Sequence, residues 1–196
     1  MPASKTTYHH GDLRAACVSA AMELLEESGE TALSLRAVAR RAGVSPAAPY
    51  RHYADREALV SAVAAVGYRE LAERLAAAHP SPSTTEQLTS VAVAYVQFAL
   101  ERPALFRMMF GEPCDRDNDE RIAATAAVTL YLREIVVRTF PQADTEALAT
   151  AIWALVHGLA FLHLEGKLDS SDPSAVANRV TATIQALMTA TSLAKL

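Results

Sequence analysis

Between Arg36 and Arg56 the chain sets five arginines, Arg36, Arg40, Arg41, Arg51 and Arg56, against a single acid, Asp55, and interleaves them with Tyr50, His52 and Tyr53. Guanidinium groups bond phosphate oxygens and base edges bidentately, and serine and tyrosine hydroxyls add phosphate contacts. That chemistry is nucleic-acid recognition. The 196 residues together carry 18 Lys and Arg against 22 Asp and Glu, a formal charge of −4, so the positive charge is local. Phosphate binding depends on the cluster, not on the sum. Within it, a solvated helix face accounts equally well for Arg40 and Arg41, and core packing is the better reading of Tyr53. His9 and His10 fall on a terminal arm that is expected to be disordered.

A second concentration of polar and aromatic groups comes later. Trp153, His157 and Phe161 stand at successive fourth positions, so a helix stacks them on one face, where His157 can donate to a ligand buried among rings. A hydrogen-bonded core or interface histidine is the competing reading. Tyr95, Phe98, Phe106, Met108 and Met109 can line an apolar pocket, although stripes of this kind are also ordinary core. The ligand-contact candidates are Tyr95, Phe98, Phe106, Met109, Trp153 and His157. Enzyme chemistry finds little support. His157 and His163 lie about 240° apart around a helix, Cys17 and Cys114 lack metal-ligand spacing, and no nucleophile stands beside a base. No metal, nucleotide or other cofactor is expected.

The elements that would hold these groups are helical. Apolar residues make up 51% of the chain and aromatics 6%, Ala recurs and Gly is sparse, which points to an all-α fold of about nine helices. Leu13 to Leu25 has helical spacing and stops at Gly29. Ser34 caps a two-turn element ending at Gly43, and Ser45 and Pro46 open a third short segment. Asp55 caps a long helix that runs to the loop His79-Pro80-Ser81-Pro82. Ser83 with Glu86 has capping-box spacing, Pro103 opens a short helix closed by Gly111, and another runs from near Glu120 to Phe140. Asp144 caps a helix that is apolar nearly all round and ends at Gly166, and Asp172-Pro173 starts the last. Apolar stretches are read as interrupted before the ~18 residues that span a bilayer, and the N-terminus lacks the apolar core of a signal peptide, so no membrane partner and a cytoplasmic location are expected.

Two short helices joined through Ala42-Gly43-Val44 after a longer one have the helix-turn-helix arrangement. The stretch from Leu35 to Leu59 resembles the DNA-binding signature of tetracycline-repressor-like regulators, and the segments Arg102–Gly111 and Trp153–Gly158 resemble the subgroup named for its Trp, His and Gly. The resemblance implies a DNA-binding domain over 1–56, a helical ligand-binding and dimerisation domain over 57–196, and a homodimer acting on a double-stranded DNA operator. It further implies a repressor released from a palindromic operator by a small apolar or amphipathic effector.

Carried over by position, Ser45, Tyr50 and His52 would touch phosphates, Arg36 would lie by the backbone or a base edge, and Arg56 would stand at a helix start where Lys is common. Ser34 and the remaining positions of the third segment complete the set. There, Ala47 and Ala48 offer only methyl contacts, and Arg51 is the one long donor. Pro49 departs from the bulky aliphatic residue of the wider family. It is expected to push Ala48 out of helical geometry and to make the turn tighter than an α-turn. Gly158 costs about 1 kcal/mol inside a helix, which a closely packed neighbouring helix would offset.

Overall fold

The computed structural model describes residues 13–111 and 118–193. Among these the chain forms α1 (Leu13–Ser28), α2 (Leu35–Arg41), α3 (Arg56–Ala78), α4 (Thr85–Glu101), α5 (Pro103–Gly111), α6 (Asp119–Thr139), α7 (Thr145–Leu164) and α8 (Pro173–Leu193). Two 3-10 turns, Glu30–Ala32 and Pro49–Arg51, complete the regular structure, with no strand among the described residues. The all-α expectation holds with eight α-helices, because the expected third helix is the 3-10 turn Pro49–Arg51. His9, His10 and Cys114 lie outside the described residues.

Local chemistry sets most of the boundaries. Ser34 accepts from the Ala37 amide, Asp55 from Ala58 at 2.9 Å and Asp144 from Ala147, each covering an amide that the first turn leaves without a partner. The cap of α4 sits one residue later than Ser83. Thr84 accepts from the Gln87 amide, and the Gln87 side chain takes the amides of both Ser83 and Thr84, so Thr84 with Gln87 forms the box. Gln87 covers two amides at once, which decides between two boxes that the sequence spells equally well.

Helix α3 is the spine. It meets α1 on one side and α4, α5 and α6 on the others, while α4 is flanked by α7 and α8. Leu59, Val63, Ala64, Ala65 and Leu71 of α3 are fully buried, and one apolar cluster continues from Cys17 in α1 to Ile184 in α8. Gly67 faces α5 so closely that a Cβ there would lie 2.6 Å from the Met109 sulfur and 3.0 Å from a Leu105 methyl. The glycine lets α5 seat against α3. Arg102, at the α4–α5 junction, pairs with Glu26 of α1 at 2.6 Å and with Glu70 of α3 at 2.9 Å. Arg14 at the other end of α1 pairs with Glu120 of α6 at 2.7 Å.

Helix α7 departs from the expectation about apolar stretches. Its 20 residues include a window of mean hydropathy 1.7, long and apolar enough by that measure to cross a membrane, because Glu146 is its sole formally charged residue. In the fold it is a packing helix. Ile152, Val156, Leu159 and Ala160 are buried, while Ala151, Ala154, Leu155, Gly158 and Leu162 follow a three-and-four spacing along the outer side, where none is fully buried. The space beside Gly158 is open to 4 Å among the described residues, so none of their helices supplies the expected close neighbour.

Candidate nucleic-acid interface and ligand pocket

The turn between α2 and the 3-10 segment is made by Gly43 at φ 68°, a backbone conformation that residues with a Cβ rarely adopt. The Val44 amide reaches back to the Ala39 carbonyl at 2.9 Å and closes the end of α2. Pro49, four residues after Ser45, has no N–H to give to it, so the backbone bonds instead through Ala48 to Ser45 at 2.9 Å and Arg51 to Ala48 at 3.2 Å. The tighter turn agrees with expectation. The expected distortion of Ala48 does not occur: it stays right-handed helical at φ −64°, ψ −44°, because the 3-10 turn accommodates the proline ring. Nor does the Ser45 side chain cap this turn, whose N-cap is Ala48.

This local structure sorts the side chains. Pro49 is buried, and Tyr53 points inward at 2% exposure with its hydroxyl donating to the Arg14 carbonyl at 3.1 Å. Burial raises that phenol to about 12, with Arg14 acting in the opposite direction. Tyr50 is 53% exposed, and Arg51, His52, Ser45 and Ala47 are exposed beside it, with Ala48 half-buried. Ser34, Arg36 and Arg40 are exposed along α2. Of the expected contact residues, Ser34, Arg36, Ser45, Ala47, Tyr50, Arg51 and His52 are therefore exposed, and Ala48 and Arg56 only partly so.

Two arginines are engaged inside the protein. Arg41 pairs with Glu23, at 3.2 Å, and with Glu27, which ties α2 to α1. Arg56 pairs with Glu30 at 2.8 Å and donates to the Leu33 carbonyl at 3.3 Å, holding the loop before α2.

In the second half, Tyr95, Phe106, Phe110, Trp153 and Phe161 surround His157, whose ring centre lies 4.6 Å from Phe110 and 4.8 Å from Phe161. The Tyr95 hydroxyl and His157 Nδ1 are 2.9 Å apart. Burial raises the Tyr95 phenol and lowers the His157 imidazole, so the neutral histidine is favoured. Phe98 stacks behind Phe106 at 6.5 Å.

The open space lies in front of this cluster. A cavity of about 360 Å³ opens between α6 and α7, lined by Tyr68, Met109, Phe110, Thr125, Val128, Thr129, Leu132, Arg133, Glu146, Ala149, Thr150 and Trp153. A smaller space of about 50 Å³ adjoins it and shares Val128, Leu132 and Trp153. Of the six expected ligand residues, Met109 and Trp153 face the larger cavity and Tyr95 the smaller, while Phe98, Phe106 and His157 are absent from both linings. The helix that became α6 was expected at the pocket, but none of its residues was named. Its spaced Thr125 and Thr129 were the available signal, but which face of α6 turns inward depends on α3 and α7.

A family model described as bacterial regulatory proteins, tetR family, matches residues 18–63, and one described as the tetracyclin repressor-like C-terminal domain matches 88–187. The uncharacterized HTH-type transcriptional regulator YobS of Bacillus subtilis is 25% identical over 146 residues, covering 74% of this chain and 75% of its own. The HTH-type transcriptional regulator BetI of Rhizobium meliloti is 27% identical over 152 residues, with the same coverage of both chains. A solved structure of a Rhodococcus protein of unknown function superposes with a TM-score of 0.78 at 32% identity, over 92% of this chain and 97% of that one.

Proposed function

Because the chain belongs to the tetR family of bacterial regulatory proteins and is a DNA-binding transcriptional regulator rather than an enzyme, we propose that it is a cytoplasmic repressor whose DNA affinity falls when a small molecule fills the α6–α7 cavity. The observation that carries the DNA contact is the exposed edge Tyr50-Arg51-His52, held outward by buried Pro49 and Tyr53. Arg51 reads a base edge, and Ser45, Tyr50 and His52 set the register on phosphates. Ser34 and Arg36, at the start of α2, meet the adjoining backbone, and Ala47 and Ala48 pack against groove methyls. Arg56 contributes charge while it anchors Glu30. The DNA-binding unit is residues 1–56, and the division falls at the first turn of α3.

The homodimer forms through α7 and α8. Ala151, Ala154 and Gly158 on the outer side of α7 and the row Ala175, Asn178, Ala182 and Ala186 on α8 are small and leave room for a close approach, with Leu155 and Leu162 supplying apolar contact. Open space beside Gly158 suits a partner helix. Two headpieces related by a two-fold axis fit half-sites about 34–36 Å apart. Occupation of the cavity shifts α5 through Met109 and Phe110, and α5 bears on α3 at Gly67. Coupling of this sort is typically about 1–3 kcal/mol, and it is reciprocal.

The test is selection of bound duplexes from a random pool with the full chain. An enriched inverted repeat is expected. Recovery of unrelated sequences that bind weakly and wash off in salt would overturn the reading.

A further inference from the structure

Four hydroxyls line the cavity between α6 and α7, and three of them, on Tyr68, Thr125 and Thr129, have their hydrogens already engaged; the fourth, Thr150, is exposed on α7. Thr125 donates to the Arg121 carbonyl at 2.8 Å, and Thr129 donates to the Thr125 carbonyl at 3.2 Å. A threonine in this back-bonded state offers its oxygen as an acceptor. The Tyr68 hydroxyl is committed in the same way to the Met109 carbonyl at 3.0 Å. An occupant that pairs with these three oxygens must bring the hydrogen itself. Phe110 and Trp153 also line the cavity, and aromatic rings attract cations over their faces.

The rim does not choose a charge. Arg133 and Glu146 pair across the mouth at 2.6 Å, and both are at least half exposed, so an entering anion would compete with Glu146 as readily as an entering cation with Arg133. The threonine oxygens do choose, because a carboxylate would set its lone pairs against theirs.

We infer that, on the effector reading proposed above, the ligand is an amphipathic amine: an apolar body against Val128, Leu132 and Trp153, and a protonated N–H head that donates to Thr125, Thr129 or Glu146. Its entry takes Glu146 from Arg133 and loosens the tie between α6 and α7.

Trp153 is the sole tryptophan, so its emission reads occupancy directly. The probes are N-octylbenzylamine, benzyl octyl ether and octylphenylacetate, matched in shape and titrated below their aggregation concentrations against the full chain, alone and on its selected duplex. The amine is expected to bind at least about tenfold more tightly than the ether or the carboxylate, the value of one charged hydrogen bond. The Thr125→Val, Thr129→Val double variant, with its fold checked by circular dichroism, is expected to bring the amine down to the ether's affinity and leave the ether unchanged. If the ether or carboxylate binds as tightly as the amine, or the double variant leaves the amine unaffected, the amine class is overturned and the pocket stands. If none of the three changes Trp153 emission or duplex affinity, the pocket reading falls with it.

Discussion

Neighbouring tyrosines with opposite environments show how single residues divide the work of the headpiece. Tyr53 is inside and donates to the Arg14 carbonyl, while Tyr50 stands in solvent three residues away. Tyr53→Phe keeps the ring and leaves that carbonyl without its donor, so a loss of about 1 kcal/mol is expected in urea unfolding. Tyr50→Phe is expected to leave stability unchanged and to weaken duplex binding. His157 and His163 supply the pH dependence. Burial pulls both below the ordinary 6.5, and Arg179 adds to the effect at His163. Below about pH 6.5 the unfolded chain therefore binds more protons than the folded one. Their contribution is complete above that pH and is lost as pH falls through the folded values. His157→Gln is expected to flatten the fall in stability between about pH 7 and pH 5, measured by denaturant midpoints. An unchanged slope would show that His157 titrates freely in the folded chain.

At the scale of elements, two glycines inside helices make opposite demands. Gly67 is pressed against Met109 and Leu105, whereas Gly158 has open space in its own chain. Gly67→Ala must displace the buried Met109 side chain or α5 itself, and a loss of about 1–3 kcal/mol is expected. Gly158→Ala gains helix propensity in a single chain, about 1 kcal/mol, but fills the place assigned to a partner helix. Sedimentation equilibrium is expected to show a weaker dimer for this variant, and an unaltered dimer constant would move the interface elsewhere. The same contrast explains which elements were legible in the sequence. Ser34, Asp55 and Asp144 act on amides three residues away, so the starts of their helices could be read locally. The segment after Ser45 could not be read as finely, because one missing amide at Pro49 turns an expected helix into a 3-10 turn while Ala48 keeps its helical angles. At α4 the choice of Thr84 over Ser83 depended on the reach of Gln87.

For the whole molecule, the exposed edge proposed to meet DNA was legible and the pocket was not. The edge is one contiguous stretch whose charge and turn chemistry are local. The cavity takes Tyr68 from α3, Met109 and Phe110 from α5, Thr125 to Arg133 from α6 and Trp153 from α7, a set that exists only after packing. His157 was singled out for its aromatic neighbours, and the structure places it among them, behind Trp153 rather than on the cavity wall. The ion pairs Arg14–Glu120 and Arg102–Glu26 join the two ends of α1 to the larger helical unit. Arg102→Gln removes one hold. It is expected to leave duplex preference intact and to reduce the effect of a bound effector on duplex affinity, read by anisotropy titration with and without N-octylbenzylamine. An undiminished effect would mean that the coupling bypasses this junction.

On the reading proposed above, this edge distinguishes DNA sequences, with Arg51 as its long base-contacting donor. Titration of the selected duplex, and of variants changed at each half-site position, with the wild-type chain and with Arg51→Ala, tests this. An affinity loss of about tenfold or more is expected for Arg51→Ala, together with relaxed preference at one position per half-site. Equal affinity and unchanged preference at every position would contradict it.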